Sequence, residues 1–110
     1  MENKKDNRPV YIVGRMAVKD YTTYFERYGI PFFEILKKYQ GSLLASTKQG
    51  ATLEGDDLGN WTVLASFPSK ALALKFWNSP EYAPLKALRI NELTNDQEVF
   101  LFPALKENNQ

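Results

Sequence analysis

Apolar positions along the chain alternate, then recur at helical spacing, then alternate again, and the order of these stretches predicts the fold. Residues 9–18, PVYIVGRMAV, are rich in Val, Ile and Tyr and read as a first strand. Asp20 is a natural N-cap for a helix whose apolar set includes Tyr21, Tyr24, Phe25, Tyr28, Phe32, Ile35, Leu36 and Tyr39. Gly29 and Pro31 interrupt that set, which predicts a kink or short break, and Gly41 offers a left-handed stop. SLLASTKQ (42–49) and WTVLASF (61–67) read as strands. ATLEGDDLGN between them is a turn region, with a short strand expected to end near Glu54. Ser69 caps a second helix running to about Asn78, Ser79-Pro80 starts a further short helix, and QEVFLF (97–102) is the last strand. Pro84 falls within that restart; it removes one ladder bond if the helix begins at Ser79 and none if it begins at Ala83.

The order strand, helix, strand, strand, helix, strand is the ferredoxin-like βαββαβ arrangement, an α+β fold with a four-stranded antiparallel sheet. One domain is expected over 9–103, with a disordered N-terminal tail over 1–8 and a polar C-terminal tail over 104–110. Two helices cover one sheet face, so the other face should be polar. It is not: within the first strand Val10, Ile12, Met16 and Val18 oppose Tyr11, Val13 and Ala17, within the third Trp61, Val63, Ala65 and Phe67 oppose Leu64, and within the last Val99 and Leu101 oppose Phe100 and Phe102. An exposed apolar face of about 500 Å² at about 25 cal/mol per Å² leaves about 10 kcal/mol of burial unrealised. That rivals the stability of a whole domain, so a second copy packed sheet to sheet is expected, giving a homodimer.

Composition narrows the chemistry. The 110 residues suit one domain, and 14 basic against 13 acidic residues give a net charge of +1, no electrostatic reason to expect nucleic acid or an anionic membrane. Without cysteine, disulfides and thiolate chemistry are excluded; without histidine, the commonest metal ligand and neutral-pH base are absent. No run has signal-peptide or membrane-spanning character, so a soluble, cytoplasmic protein is expected, with no metal and no cofactor.

The stretches YIVGRMAVKDYTTYFERYGIPFFEILKKYQGSLLA, TLEG, SFPSKALALKFWNSPEYAPLKALR and VFLF together resemble domain-of-unknown-function family thirteen-thirty, over Val10 to Phe102. That family is similar to the dimeric α+β-barrel superfamily, whose protomer is ferredoxin-like. The resemblance implies the fold and the dimer; it hands down no catalytic residue. Relatives in the superfamily include cofactor-independent monooxygenases, lactone isomerases, dehalogenating and haem-degrading enzymes. Several rely on histidine, which counts against haem degradation or a His-based isomerase here.

Candidate site residues come from the helices and the central strand. Tyr82, Leu85 and Arg89 follow i, i+3, i+7 spacing, so the guanidinium shares an apolar stripe and needs a partner. Glu54 is the expected partner and Glu92 the local rival. The pair is either structural or a bidentate grip on a ligand oxygen. Arg15 lies in the phase of Tyr11 and Val13, facing a dimer partner or a cleft. Tyr24 and Tyr28 belong to an aromatic stripe that is either core or the wall of an apolar cleft with a few hydroxyls. Trp77 and Asn78 could orient a ligand or simply pack, and Glu81 suits the first turn of a helix. Glu54, Asp56 and Asp57 lack the spacing of a calcium loop. The expected function is binding of a small metabolite in a cleft between sheet and helices. The alternative is a cofactor-independent monooxygenase- or isomerase-like enzyme acting on a small aromatic or lactone substrate. Recognition of RNA on the open sheet fits poorly, because the strands offer few exposed aromatics amid basic residues.

Overall fold

Alternation along PVYIVGRMAV produces strand β1 (Val10–Val18), with Val10, Met16 and Val18 buried beneath the helices. The computed structural model describes residues 7–57 and 59–106. Residues 1–6 and 107–110, most of the two expected tails, lie outside the described residues. Arg8 and Ala104 are held to the domain: Arg8 Nη1 donates to Ala104 O (3.2 Å), and Ala104 N to Pro9 O (2.8 Å).

Asp20 caps the first helix as its sequence position suggests, accepting from Thr23 N at 3.2 Å. The helix has three parts: α1 (Tyr21–Tyr24), a π turn (Phe25–Gly29) and α2 (Ile30–Lys38). The interruption at Gly29 and Pro31 is therefore neither a break nor a loop. Pro31 has no N–H to give, and the ladder widens just before it, with Ile30 N–H bonding to Phe25 O, five residues back. The rod stays continuous. At its end the left-handed residue is Gln40 (φ 64), not Gly41. Gly41 is required for space: a Cβ there would stand 2.6 Å from Leu36 Cδ1 and 2.8 Å from Phe67 Cε2.

Strand β2 (Ser42–Thr47) and β3 (Trp61–Phe67) follow, and the described part of the segment between them contains no strand, so the short strand expected at TLEG does not form. Ser69 caps α3 (Lys70–Trp77), accepting from Leu72 N at 3.2 Å. Ser79 then caps a turn rather than a helix, its hydroxyl donating to Phe76 O and accepting from Tyr82 N. Helix α4 (Ala83–Leu88) starts late enough for Pro84 to lie in its first turn. A second π turn, Arg89–Leu93, leads directly into β4 (Thr94–Pro103).

The sheet runs β2-β3-β1-β4 with every neighbour antiparallel, the ferredoxin-like order. Its covered face packs Val10, Met16, Ala65 and Phe67 against Leu36, Ala73 and Phe76. The opposite face carries rows in register: Ser66, Tyr11 and Phe102; Leu64, Val13 and Phe100; Thr62, Arg15 and Glu98. The first two rows are largely apolar, and Phe100 is 64% exposed. The helical layer has two halves, the rod of α1 and α2 beside α3 and α4. Two exposed ion pairs span them, Arg27 to Glu92 (3.4 Å) and Lys38 to Glu81 (2.8 Å). Glu81 also accepts from the Tyr39 hydroxyl (2.7 Å), so its role is to tie helices together rather than to offset a helix dipole.

Candidate functional site

Between the covered sheet face and the helices lies an apolar cavity of about 40 Å³. Gly14 belongs to its floor, where a Cβ would press on Met16 Cε at 3.1 Å. Polar atoms reach its lining from Tyr24, Tyr28, Tyr82 and Arg89. Sequence spacing put these four residues on inward faces, and the structure brings them together.

Tyr24 ends α1, and the other three arrive from irregular backbone. Tyr28 lies in the first π turn and Arg89 opens the second. Tyr82 ends the Ser79 turn. The hydroxyls of Tyr28 and Tyr82 are 2.6 Å apart. One hydrogen serves that contact, so the pair retains one O–H to donate elsewhere. Aromatic packing fixes the group: Tyr28 stacks on Phe32 (5.3 Å between centroids), and Tyr82 on Phe76 (4.6 Å).

Arg89 is 2% exposed, and no carboxylate pairs with it among the described residues. Neither expected partner is there. Glu92 is engaged by Arg27 on the surface. Glu54 is exposed and lines a different groove, of about 390 Å³, in company with Arg15, Lys48 and Asp57. The reason is the loop: the residues described from 48 to 57 leave the sheet edge without forming a strand, so Glu54 does not join the cavity lining. Arg15, half-buried on the open sheet face, stands apart from the cavity.

The guanidinium of Arg89 meets neutral groups instead. It lies over the Tyr28 ring, 5.8 Å from the centroid, and Nη1 donates to Gln97 Oε1 at 3.4 Å. Burial works to lower its pKa, but the Tyr28 and Tyr82 phenols outweigh burial and hold it above the ordinary value. Arg89 therefore stays charged. Burial pushes the Tyr28 phenol well above its usual range, with repulsion from Tyr82 adding to it. Tyr24 is pushed up to about 12, again chiefly by burial, with the indole of Trp61 and the charge of Arg89 offsetting part of the rise. The Trp61 ring packs edge-on against that of Tyr24, 5.7 Å between centroids, and its buried Nε1 has no hydrogen-bond partner among the described residues.

Gln97 and Thr94 escaped the periodic pattern. Between Arg15 and Ala17 the β1–β4 register slips, and Asp96 there adopts a left-handed φ of 53. This bulge turns Gln97 towards Arg89. Thr94 Oγ1 donates to Arg89 O (2.9 Å) and stands 2.5 Å from Gln97 Oε1, one hydrogen shared between two acceptors. The polar run Asn95-Asp96 ahead of an apolar strand was the available signal. Trp77 lines the cavity and stacks near Tyr82 (5.6 Å), whereas Asn78 serves as the C-cap of α3.

Chemically, a buried guanidinium beside a spare phenol O–H makes two convergent donors in apolar surroundings, suited to a carboxylate, enolate or carbonyl oxygen. Burial favours the neutral form of the Tyr28 phenol, so it is suited to donating a hydrogen bond rather than accepting a proton. Among the described residues no group of three or more His, Cys, Asp or Glu is placed to hold a metal ion.

The profile of the family described as "Domain of unknown function (DUF1330)" matches residues 9–102. No curated protein matches the sequence. Among solved structures, a Rhodopseudomonas palustris protein of unknown function superposes with a TM-score of 0.73 at 15% identity, covering 94% of this chain and 88% of that one. SnoaB, a cofactor-independent oxygenase from Streptomyces nogalater, gives 0.55 at 20% identity, covering 94% and 99%. A Caulobacter crescentus protein proposed to be an antibiotic biosynthesis monooxygenase gives 0.60 at 11% identity, covering 93% and 94%. At these identities the likeness is one of fold.

Proposed function

The chain belongs to the domain-of-unknown-function family DUF1330, and from that premise we propose that it is a homodimeric α+β-barrel protein that binds a small oxyanion-bearing metabolite at Arg89. The carrying observation is a guanidinium 2% exposed that faces phenols and an amide but, among the described residues, no carboxylate. A buried charge without a counter-charge costs several kcal/mol, and a structural arginine at this position would have a partner. An anionic ligand supplies it. The second copy is supported by the apolar rows Leu64, Val13, Phe100 and Tyr11, Phe102 on the open sheet face.

A thermal-shift screen of small carboxylates, phenols and lactones on wild type and Arg89→Met tests the site. Stabilisation of wild type by carboxylates, abolished in Arg89→Met, supports it; equal response of both proteins removes it.

A second reading, a cofactor-independent oxygenase or isomerase acting on a small aromatic or lactone, draws on the fold shared with the Streptomyces nogalater oxygenase. The donors that hold a carboxylate would equally favour an enolate or phenolate. Oxygen uptake with quinols and product formation from lactones separate this reading from binding alone: a stabilising ligand that is not turned over leaves the binding protein.

A further inference from the structure

We propose that the ligand is amphipathic, with its oxyanion head at Arg89 and Tyr82 and an apolar body that leaves the cavity through the groove between α2 and the β2–β3 edge. This rests on the reading of Arg89 given above and adds the shape of the molecule and its path.

The central cavity, about 40 Å³, has room for a few waters and not for an organic body. Any ligand larger than its head group must extend into a neighbouring space. Two grooves that share lining residues with the cavity offer such a space. One, of about 240 Å³, shares Tyr24, Phe32 and Val63 with it and opens between α2 and β2. The other, of about 200 Å³, shares Ile12, Trp77 and Val99 and opens towards β4.

Three features favour the first. Its lip exposes large apolar side chains, Phe25 (60%), Ile30 (49%) and Phe33 (40%), which an apolar body would cover. Its wall holds Trp61, whose large aromatic ring offers an apolar body a broad contact surface. Tyr24 links the two spaces, its ring 5.7 Å from that of Trp61 and 5.1 Å from that of Tyr28. At the second groove Trp77 is pinned from outside, with Lys86 Nζ donating to its carbonyl (3.1 Å) and lying over its ring (4.4 Å).

Calorimetric titration with butanoate, hexanoate, octanoate and decanoate, and with decanol, provides the test. Wild type should bind each longer acid about three- to fourfold more tightly per methylene. Ser46→Trp blocks the first groove from an exposed position opposite Val63. It should flatten the dependence on length and leave butanoate affinity unchanged. Leu74→Trp, at the second groove, should leave the dependence intact. Ile30→Trp, on the opposite lip of the first groove, replaces Ser46→Trp if that variant does not fold. The proposal is overturned if wild type shows no dependence on length, or if Leu74→Trp removes it and Ser46→Trp does not. Either result leaves the Arg89 site standing provided short acids bind wild type and not Arg89→Met. If decanol binds as tightly as decanoate, or no acid binds, the Arg89 reading fails and this one with it.

Discussion

Arg89 concentrates the tension between stability and use. A buried charge that faces only neutral groups among the described residues is a poor stabiliser, and an apolar side chain of similar length should serve the fold better. Arg89→Met is expected to raise the stability of the ligand-free protein by about 1 kcal/mol, shifting Tm upward by several degrees. Urea denaturation checks this, and a loss of about 3 kcal/mol or more would mark the arginine as structural. The tyrosines set the alkaline limit. Tyr24 binds its proton up to about pH 12 when folded and releases it near 10 when unfolded, and Tyr28 is shifted the same way. Their contribution is complete below pH 10 and drains away as pH climbs through the folded values, so stability should fall by at least about 1.4 kcal/mol per pH unit above 10. Tyr24→Phe should shallow that fall. The sequence announced Arg89, Tyr82, Tyr24 and Tyr28 through helical spacing alone. It misassigned the partner, because Glu54 was placed by a short strand that residues 48–57 do not form.

At the level of elements, the site is assembled where regular structure gives way: π turns deliver Tyr28 and Arg89, a capped turn delivers Tyr82, and a bulge delivers Gln97. Periodicity describes regular elements, so it found the helices and strands and was silent on these departures. Gly29 and Pro31 signalled an irregularity but not that the helix would widen instead of breaking. The bulge depends on how β4 pairs with β1, a relation no local window contains. Asp96→Val, with a branched side chain at φ 53, should cost about 1–2 kcal/mol and weaken acid binding by releasing Gln97. Circular dichroism melts and titration read the two effects separately. Gly41→Ala should cost about 1–3 kcal/mol, because Leu36 and Phe67 must move aside. Gln40→Gly, one residue earlier, should instead stabilise slightly, since the left-handed position there holds a residue with a Cβ.

For the whole molecule, two layers leave one sheet face without cover among the described residues, and the proposed dimer follows from that imbalance. Phe100→Glu places a charge in the middle of the apolar rows. Sedimentation should find the wild type paired at micromolar concentration and this variant single and still folded; a wild type that sediments as one subunit would leave the face unexplained. The chain order and alternation revealed the sheet and its excess of apolar surface, and the strand order β2-β3-β1-β4 agrees with both. The layer of helices holds a different consequence. Arg27 grips Glu92 near one end of the junction between its halves, and Lys38 grips Glu81 across the same junction. Such solvent-facing contacts add little to stability and fade as ions accumulate. Brine should therefore release both grips, letting the two halves of the helical layer move more independently while the melting temperature barely moves.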